Sequence, residues 1–324
     1  MNLRAALLSL LLCAPSSAHV PDAPLQLPPA APAPESPFLG LQTEAKDPKN
    51  PKGGVVVVYV WPVSAAQTMG FQVGDEVLML NDVVITDPES FTTEIRKENV
   101  NAKLRFRIRR AGQEKSIDGR IGSREKTMRE YQELVRKELI GKPLAPLPAV
   151  EWWSASTRRW DGKGNDDGMA SRKDKLTVVM SFDDCEVCKS RRYLRLNQMK
   201  ALFTKVAGAE NVAYVGLYFD SNRGKPGKDD SEKAATALLA ANPPVVPIGL
   251  VHYPSGKPTA EDRGRQVIIH NHGTAILDPS GNVEYVQVTD PPGQEFSEAL
   301  QRAFIKHASP AGDGKSEQRK PGSP

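Results

Sequence analysis

Two cysteines three positions apart, in "SFDDCEVCKSRR" (181–192), are the residues of this chain best equipped for chemistry. Cys185 and Cys188 enclose Glu186 and Val187, and the third cysteine, Cys13, lies near the start of the chain. Such a pair can exchange electrons with a partner's disulfide, supply half of a metal site, or close an inert structural disulfide. All three readings are open on the motif alone.

The elements around the motif narrow its use. "KLTVVMSF" (175–182) reads as a buried strand that runs straight into it, and an amphipathic helix follows with Met199, Leu202, Phe203 and Val206 on one face. A first cysteine at a helix start meets unpaired N–H groups and the positive end of the helix dipole, which favour a thiolate. Cys185 is therefore the candidate nucleophile and Cys188 the resolving thiol. Asp183, Asp184 and Glu186 oppose thiolate formation, with Lys189, Arg191 and Arg192 offsetting them in part. That balance predicts a reduction potential toward the reducing end.

Further along, "NVAYVGLYFD" (211–220) reads as a buried strand and "SEKAATALLAA" (231–241) as a helix. "TAILDPSGNVEYVQV" (274–288) reads as two strands about an Asp-Pro-Ser-Gly turn, and "GQEFSEALQRAFIKH" (293–307) as a closing helix. The tryptophans of "EWWSASTRRW" (151–160) are expected to pack a first hairpin, the alternative being a substrate face. His252 and His307 have no nameable partner and are expected at the surface.

At 324 residues the chain has room for two domains, and 39% hydrophobic with 25% charged residues is an ordinary globular composition. A net charge of +4 from 43 basic and 39 acidic residues is too balanced to imply nucleic acid. "MNLRAALLSLLLCAPSSAHV" combines Arg4, an apolar run from Ala5 to Leu12 and small residues before His19, the pattern of a secretory signal peptide over 1–18. Lipid attachment at Cys13 is the alternative. No later run reaches membrane-spanning length. Export to the periplasm or beyond would place the thiols in an oxidising compartment. A Pro/Ala-rich linker (19–35) and a loose tail (309–324) flank the folded part.

The first folded unit is read over 36–122. "GGVVVVYVWP" (53–62), "EVLMLND" (76–82), "KLRFRIRR" (103–110) and "EKSIDGRI" (114–121) are strand-like, and "DPESFTTEIRKE" (87–98) is a capped helix carrying Phe91 and Ile95 one turn apart. These short strands with one substantial helix predict a small β-rich barrel. "SREKTMREYQELVRKELIGKP" (123–143) places Met128, Tyr131, Val135 and Leu139 at helical spacing and is expected to be a connecting helix.

"PFLGLQ" (37–42) together with "GVVVVYVWPVSAAQTMGFQVGDEVLMLNDVVITD" (54–87) resembles a PDZ domain of the bacterial HtrA type. The resemblance implies that backbone N–H groups of Phe38, Leu39, Gly40 and Leu41 receive a peptide's C-terminal carboxylate while the peptide adds a strand beside the helix. Phe91 and Ile95 would then line the side-chain groove, the plain alternative being that both are core. No serine-protease motif accompanies the module.

The second domain is read over 144–308, and its residues 150–307 resemble, at a distance, an α/β thioredoxin-like domain, through "KDKLTVVMSFDDCEVCKS" and "GTAILDPSGNVEYV". The chain as a whole is thus expected to be multidomain. In that family a proline faces the dithiol, and two positions compete for its place: Pro247 in "VVPIGLVHYPSGK" and His272 in "HNHGTAILDPSGN". The second closes the fold more economically and makes 243–270 an insertion or an extra hairpin. It also resembles Sco-type copper chaperones, implying a copper or zinc site of Cys185, Cys188, His270 and His272, although those chaperones space their cysteines by three intervening residues rather than two. The leading expectation is an exported thiol–disulfide oxidoreductase without an organic cofactor, its PDZ module recruiting a protein or peptide C-terminus. A binding-only adaptor with a silent second domain stands beside it.

Overall fold

The computed structural model describes residues 35–47, 49–144, 150–154, 156–161, 172, 174–182, 193, 196–198, 200, 209–219, 229–251, 273–288 and 294–307. The expected leader, most of the expected linker, the expected tail, both cysteines of the motif, His252, His270, His272 and the expected helix face of Met199, Leu202, Phe203 and Val206 lie outside them. The chain divides into two compact units between Glu138 and Leu139.

In the first unit β1 (Pro37–Phe38), β2 (Leu41–Asp47) and β3 (Asn50–Val60) lead into a five-residue helix α1 (Ala65–Met69). β4 (Glu76–Leu80), β5 (Val83–Val84), helix α2 (Pro88–Lys97), β6 (Lys103–Arg110), β7 (Gln113–Arg120) and β8 (Gly122–Ser123) follow. The sheet order is β2-β3-β4-β6-β7, with β5 beside β4 and β1 paired to β8. The order is open, so the predicted barrel does not close: among the described residues β2 and β7 are end strands that do not pair with each other. β6 alternates exposed and buried residues, and Leu104, Phe106 and Ile108 enter the core with Val55, Val57, Val77 and Leu80. Phe71 meets Phe106 edge-on at 5.0 Å between ring centres.

The stretch "GFQVGDEVLMLND" owes its shape to one buried acid. Gly70 ends α1 in the left-handed region (φ 83), and Gly74 turns at φ 93. The turn delivers Asp75, 1% exposed, to Arg110: Nε donates at 2.6 Å and Nη2 at 2.7 Å, a bidentate grip. The Gln72 amide adds a third donor at 2.9 Å, and Arg110 also reaches the Gly70 carbonyl at 2.8 Å.

Helix α3 (Arg124–Leu139) buries Thr127, Tyr131 and Val135. Tyr131 stands edge-on to Trp61 at 5.3 Å, and Trp61 also meets Phe38 and Tyr59. The helix is thus packed on the first unit through Tyr131. The residues after it belong to the second: Gly141 donates to Val283 at 2.8 Å, and Val283 donates back to Lys142 at 2.9 Å.

The second unit contains β9 (Val150–Ser154), β10 (Arg159–Asp161), β11 (Leu176–Phe182), β12 (Val212–Phe219), helix α4 (Asp229–Ala241), β13 (Ile248–Val251), β14 (Thr274–Leu277), β15 (Val283–Gln287) and helix α5 (Gln294–His307). Its sheet runs β10-β9-β13-β12-β11-β14-β15. β11, β12 and β13 are mutually parallel, and β14 is antiparallel to β11. All seven β11 residues are buried, as a central strand covered on both faces requires. α5 supplies Phe296, Leu300 and Phe304 to that core.

The tryptophan stretch forms the expected hairpin. Trp153 pairs with Trp160, their rings meet edge-on at 5.2 Å, and Trp160 Nε1 donates to Thr236 at 3.1 Å. The turn after β14 is tied by Asp278, whose carboxylate accepts the Ser280 and Asn282 amides at 2.9 and 2.8 Å. Burial works against that charge, but these hydrogen bonds outweigh it and hold the carboxyl below its ordinary value. His307 corrects the sequence reading: it is not a partnerless surface residue, since its Nε2 lies 2.8 Å from Glu284. The last turn of α5 brings it over β15, a placement no local signal announces.

Truncating Asp75 strands the Arg110 guanidinium in a half-buried position. Asp75→Ala is expected to lose about 3 kcal/mol of stability, read as a lower urea midpoint for the first unit, with Asp75→Asn recovering part of it.

Candidate functional site

The loop from Phe38 to Leu41 is built by its carbonyls. Leu39, 3% exposed, accepts the Ala66 amide at 2.8 Å, and Gly40 accepts the Trp61 amide at 2.8 Å. A trans peptide points its N–H opposite to its C=O. The N–H groups of Gly40 and Leu41 are therefore directed away from α1 and from the end of β3. β2 continues from this loop as the end strand of its sheet, and α2 packs against β1, β2 and β3. A strand edge, a helix and a loop with outward amides thus converge.

Gly40 is required here on two counts. Its φ of 85 lies in the left-handed region, and a Cβ built on it would stand 2.2 Å from Ser64 Cβ. Ser64, buried, holds that position because it caps α1: its Oγ accepts the Gln67 amide at 3.2 Å and donates to the Trp61 carbonyl at 2.6 Å. Ser64 was not among the sequence candidates, although "SAAQTMG", a capping serine with a glycine six residues on, carries the signal of a short helix.

α2 is fixed with similar economy. Asp87 accepts the Ser90 amide at 2.7 Å while Ser90 Oγ accepts the Asp87 amide at 3.2 Å, and Pro88 opens the first turn. The Ser90 amide, aided by Thr86, keeps the Asp87 carboxyl below its ordinary value. Of the two groove candidates, Phe91 is 5% exposed and sits in the core, while Ile95 is half-buried at its rim together with Leu41. Phe38 is half-buried against Trp61.

Cys185 and Cys188 lie outside the described residues, as do His270 and His272, but the strand that precedes the cysteines in the sequence and the one that follows the histidines are described. β11 ends at Phe182, three residues before Cys185. Its immediate neighbour on one side is the entry to β14: Met180 pairs with Thr274, and Ser181 donates to the Gly273 carbonyl through both N–H (3.0 Å) and Oγ (3.1 Å). β12 and β13, parallel to β11, end toward the same edge of the sheet. Open α/β sheets bind ligands at that carboxyl edge. The competing residue, Pro247, is exposed and opens β13, which lies beyond β12. Two strand spacings, roughly 9–10 Å, separate β13 from β11. The chain segment that enters directly beside β11 is the one that follows His272.

Among the described residues no cluster of three or more His, Cys, Asp or Glu has the geometry of a metal site, and no helix is long and apolar enough to cross a membrane.

Residues 37–120 match the family model for the PDZ domain. No curated protein matches the chain. Among solved structures, the HtrA-type protease AlgW with a decapeptide matches at 21% identity and TM-score 0.26, over 28% of this chain and 30% of that one. The HtrA3 PDZ domain bound to a phage-derived ligand matches at 21% identity and TM-score 0.24, over 27% of this chain and 86% of that one. A thiol-disulfide isomerase from Corynebacterium glutamicum matches at 14% identity and TM-score 0.39, over 52% of this chain and 96% of that one. The chain thus spans less than a third of the length of the HtrA-type protease AlgW. The first unit carries a PDZ domain.

Gly40→Ala places a methyl group into Ser64 and forces a left-handed backbone on alanine. It is expected to cost about 2–3 kcal/mol in urea unfolding followed by tryptophan emission, and Ser64→Ala, which removes the cap, about 1 kcal/mol.

Proposed function

We propose that the chain is an exported two-domain protein in which the PDZ domain captures a protein or peptide C-terminus and presents its owner to a dithiol, Cys185 and Cys188, on a thioredoxin-like domain. The observation that carries this reading is the setting of β11. A fully buried central strand ends at the carboxyl edge of a mixed sheet, and in the sequence Cys185 follows its last residue by three positions. The recruiting half rests on the match of residues 37–120 and on a loop whose Gly40 and Leu41 amides point away from the scaffold.

In the reaction, the Cys185 thiolate attacks one sulfur of the partner's disulfide, forming a mixed disulfide and releasing the other sulfur as a thiolate. Cys188, deprotonated, then attacks Cys185, which frees the second partner thiolate. The partner gains two electrons and the Cys185–Cys188 pair becomes a disulfide, to be reduced again by a dithiol donor. The carboxylates of Asp183, Asp184 and Glu186 destabilise the thiolates and so favour the oxidised pair.

Wild-type protein should accelerate insulin reduction by dithiothreitol, and Cys185→Ser should bring the rate to background. A redox titration should place the pair near the potential of cytosolic reductants, about −270 mV, rather than that of strong oxidants, about −120 mV. Equal background rates for both proteins would refute the dithiol reading and favour binding alone.

A second reading is favoured by the entry to β14. Gly273, which follows His272 directly in the sequence, accepts two hydrogen bonds from Ser181, one residue before the end of β11. Two thiolates and one or two imidazoles suit Cu(I) or Zn(II). On this reading the reduced protein retains about one equivalent of metal through gel filtration, and His270→Ala or His272→Ala loses it; a metal-free wild type eliminates the site.

A further inference from the structure

The hairpin of β6 and β7 leaves one strand edge open. Its register is continuous from Lys103 opposite Arg120 to Arg110 opposite Gln113. Just past β7 the Ile121 amide donates to the Ala102 carbonyl at 3.0 Å, so the backbone groups of Ile121 face β6. Successive residues of a strand alternate in this respect. Lys115, Ile117 and Gly119 therefore also face β6, while Glu114, Ser116, Asp118 and Arg120 turn their N–H and C=O groups to the free edge. β7 is an end strand, and among the described residues nothing accepts from those N–H groups.

Such an edge is usually blunted by a proline, a bulge, shortness or an inward-pointing charge. β7 has eight residues, no proline and no shift in register. On its core-side face Lys115 is the one charged residue. Ile117 follows on that face, packed with Met69 at the rim of the core, and then Gly119, where a Cβ would run into Met69. The outer face reads Glu114, Ser116, Asp118, Arg120, acidic toward the hairpin turn and basic at the far end. That basic end is poorly served within one chain. Arg120 stands opposite Lys103, a like-charge cross-strand pair, and turns to the Asn101 carbonyl at 2.6 Å.

We propose that β7 pairs antiparallel with β7 of a second copy of this chain, about a two-fold axis through Ile117. In this register Glu114 meets Arg120 of the second copy, twice by symmetry, and Ser116 meets Asp118 in the same way. These are the residues whose backbone groups face the free edge, so they form the hydrogen-bonded pairs. On the other face Ile117 meets its own copy, and Lys115 meets Gly119, which has no side chain to oppose it. Neighbouring registers fail on charge. An axis at Ser116 sets Glu114 against Asp118, and an axis at Lys115 or Asp118 sets a charge against itself. An axis at Gly119 opposes Asp118 and Arg120 but pairs only the end of the strand. The chosen register also brings Arg120 the carboxylate that its own chain does not place opposite it. β2, at the other end of the sheet, stays free for a peptide.

The test is sedimentation equilibrium of the full chain at rising concentration, to about 0.5 mM, with dithiothreitol present so that no disulfide links two copies. A strand-edge contact buries little area, so a weak dimer is expected, its mass approaching twice that of one chain only at the upper end of the series. Ser116→Pro removes a donor that faces the free edge and leaves the ladder to β6 intact. It should weaken association about tenfold or more. Glu114→Arg and Arg120→Glu, each checked for folding by its melting curve, should each weaken it roughly thirtyfold, because like charges then face each other twice. An equimolar mixture of these two variants should associate with nearly wild-type strength, since each offers the charge the other lacks. A wild type that stays monomeric throughout overturns the proposal. So does a Ser116→Pro variant that associates like the wild type, or a mixture of the two folded charge variants no stronger than its components.

Discussion

The hydrogen-bonded ladders on either side of β11 are the constraint on which the second unit depends. With β12 parallel on one flank and β14 antiparallel on the other, every residue from Leu176 to Phe182 is buried. A strand so placed cannot slip by one residue without exchanging the environments of all its side chains. Its last residue is therefore fixed in space, and with it the point from which the cysteine motif departs. Ser181 strengthens the same point, because its amide and hydroxyl both reach Gly273 and tie the departing chain to the one that arrives. The proposed thiol chemistry needs sulfurs held at one place while the partner changes, and a fixed strand end would serve that need.

The PDZ unit solves a related problem with different means. An anion-receiving loop must turn its amides outward, which leaves its carbonyls to be satisfied elsewhere. Ala66 and Trp61 accept that task for Leu39 and Gly40, and Ser64 serves both the helix cap and the wall against Gly40. The aromatic chain Phe38, Trp61 and Tyr131 then packs the loop's flank and the following helix into one body. Thus the connecting helix is part of the PDZ unit's structure rather than a spacer, and the residues just past it are strand-paired to the hairpin of Asp278.

Much of this was legible in the sequence where periodicity and capping agree. The alternation of β6, the capped α2, the buried strands β11 and β12 and the Asp278 turn all carry local signals that tertiary packing reinforces. What escaped depends on residues far apart in the chain. The Asp75–Arg110 grip joins positions thirty-five apart, and neither residue's neighbours announce the other. The five-residue α1 is too short for a helical period to register. His307 finds Glu284 only because α5 folds back over β15. The choice between Pro247 and His272 shows the same limit: both precede a strand and a Pro-Ser-Gly sequence, and sheet order alone separates a strand beside β11 from one beyond β12.

Charge illustrates the point from the opposite side. A whole-chain balance of 43 basic against 39 acidic residues averages away any field. Period-two geometry undoes the average locally, since it sorts every second residue of "KLRFRIRR" onto one face and leaves the carboxylates of β4 and β7 to neutralise it unevenly. Neutralisation succeeds around Glu76, where burial against Lys46 and Arg109 is outweighed by their hydrogen bonds and charges and the carboxyl is held below its ordinary value. It fails at Lys103 and Arg120, where register places two cations face to face. A fold selected for stability alone has no use for that pair, because exchanging either for a carboxylate would turn repulsion into attraction.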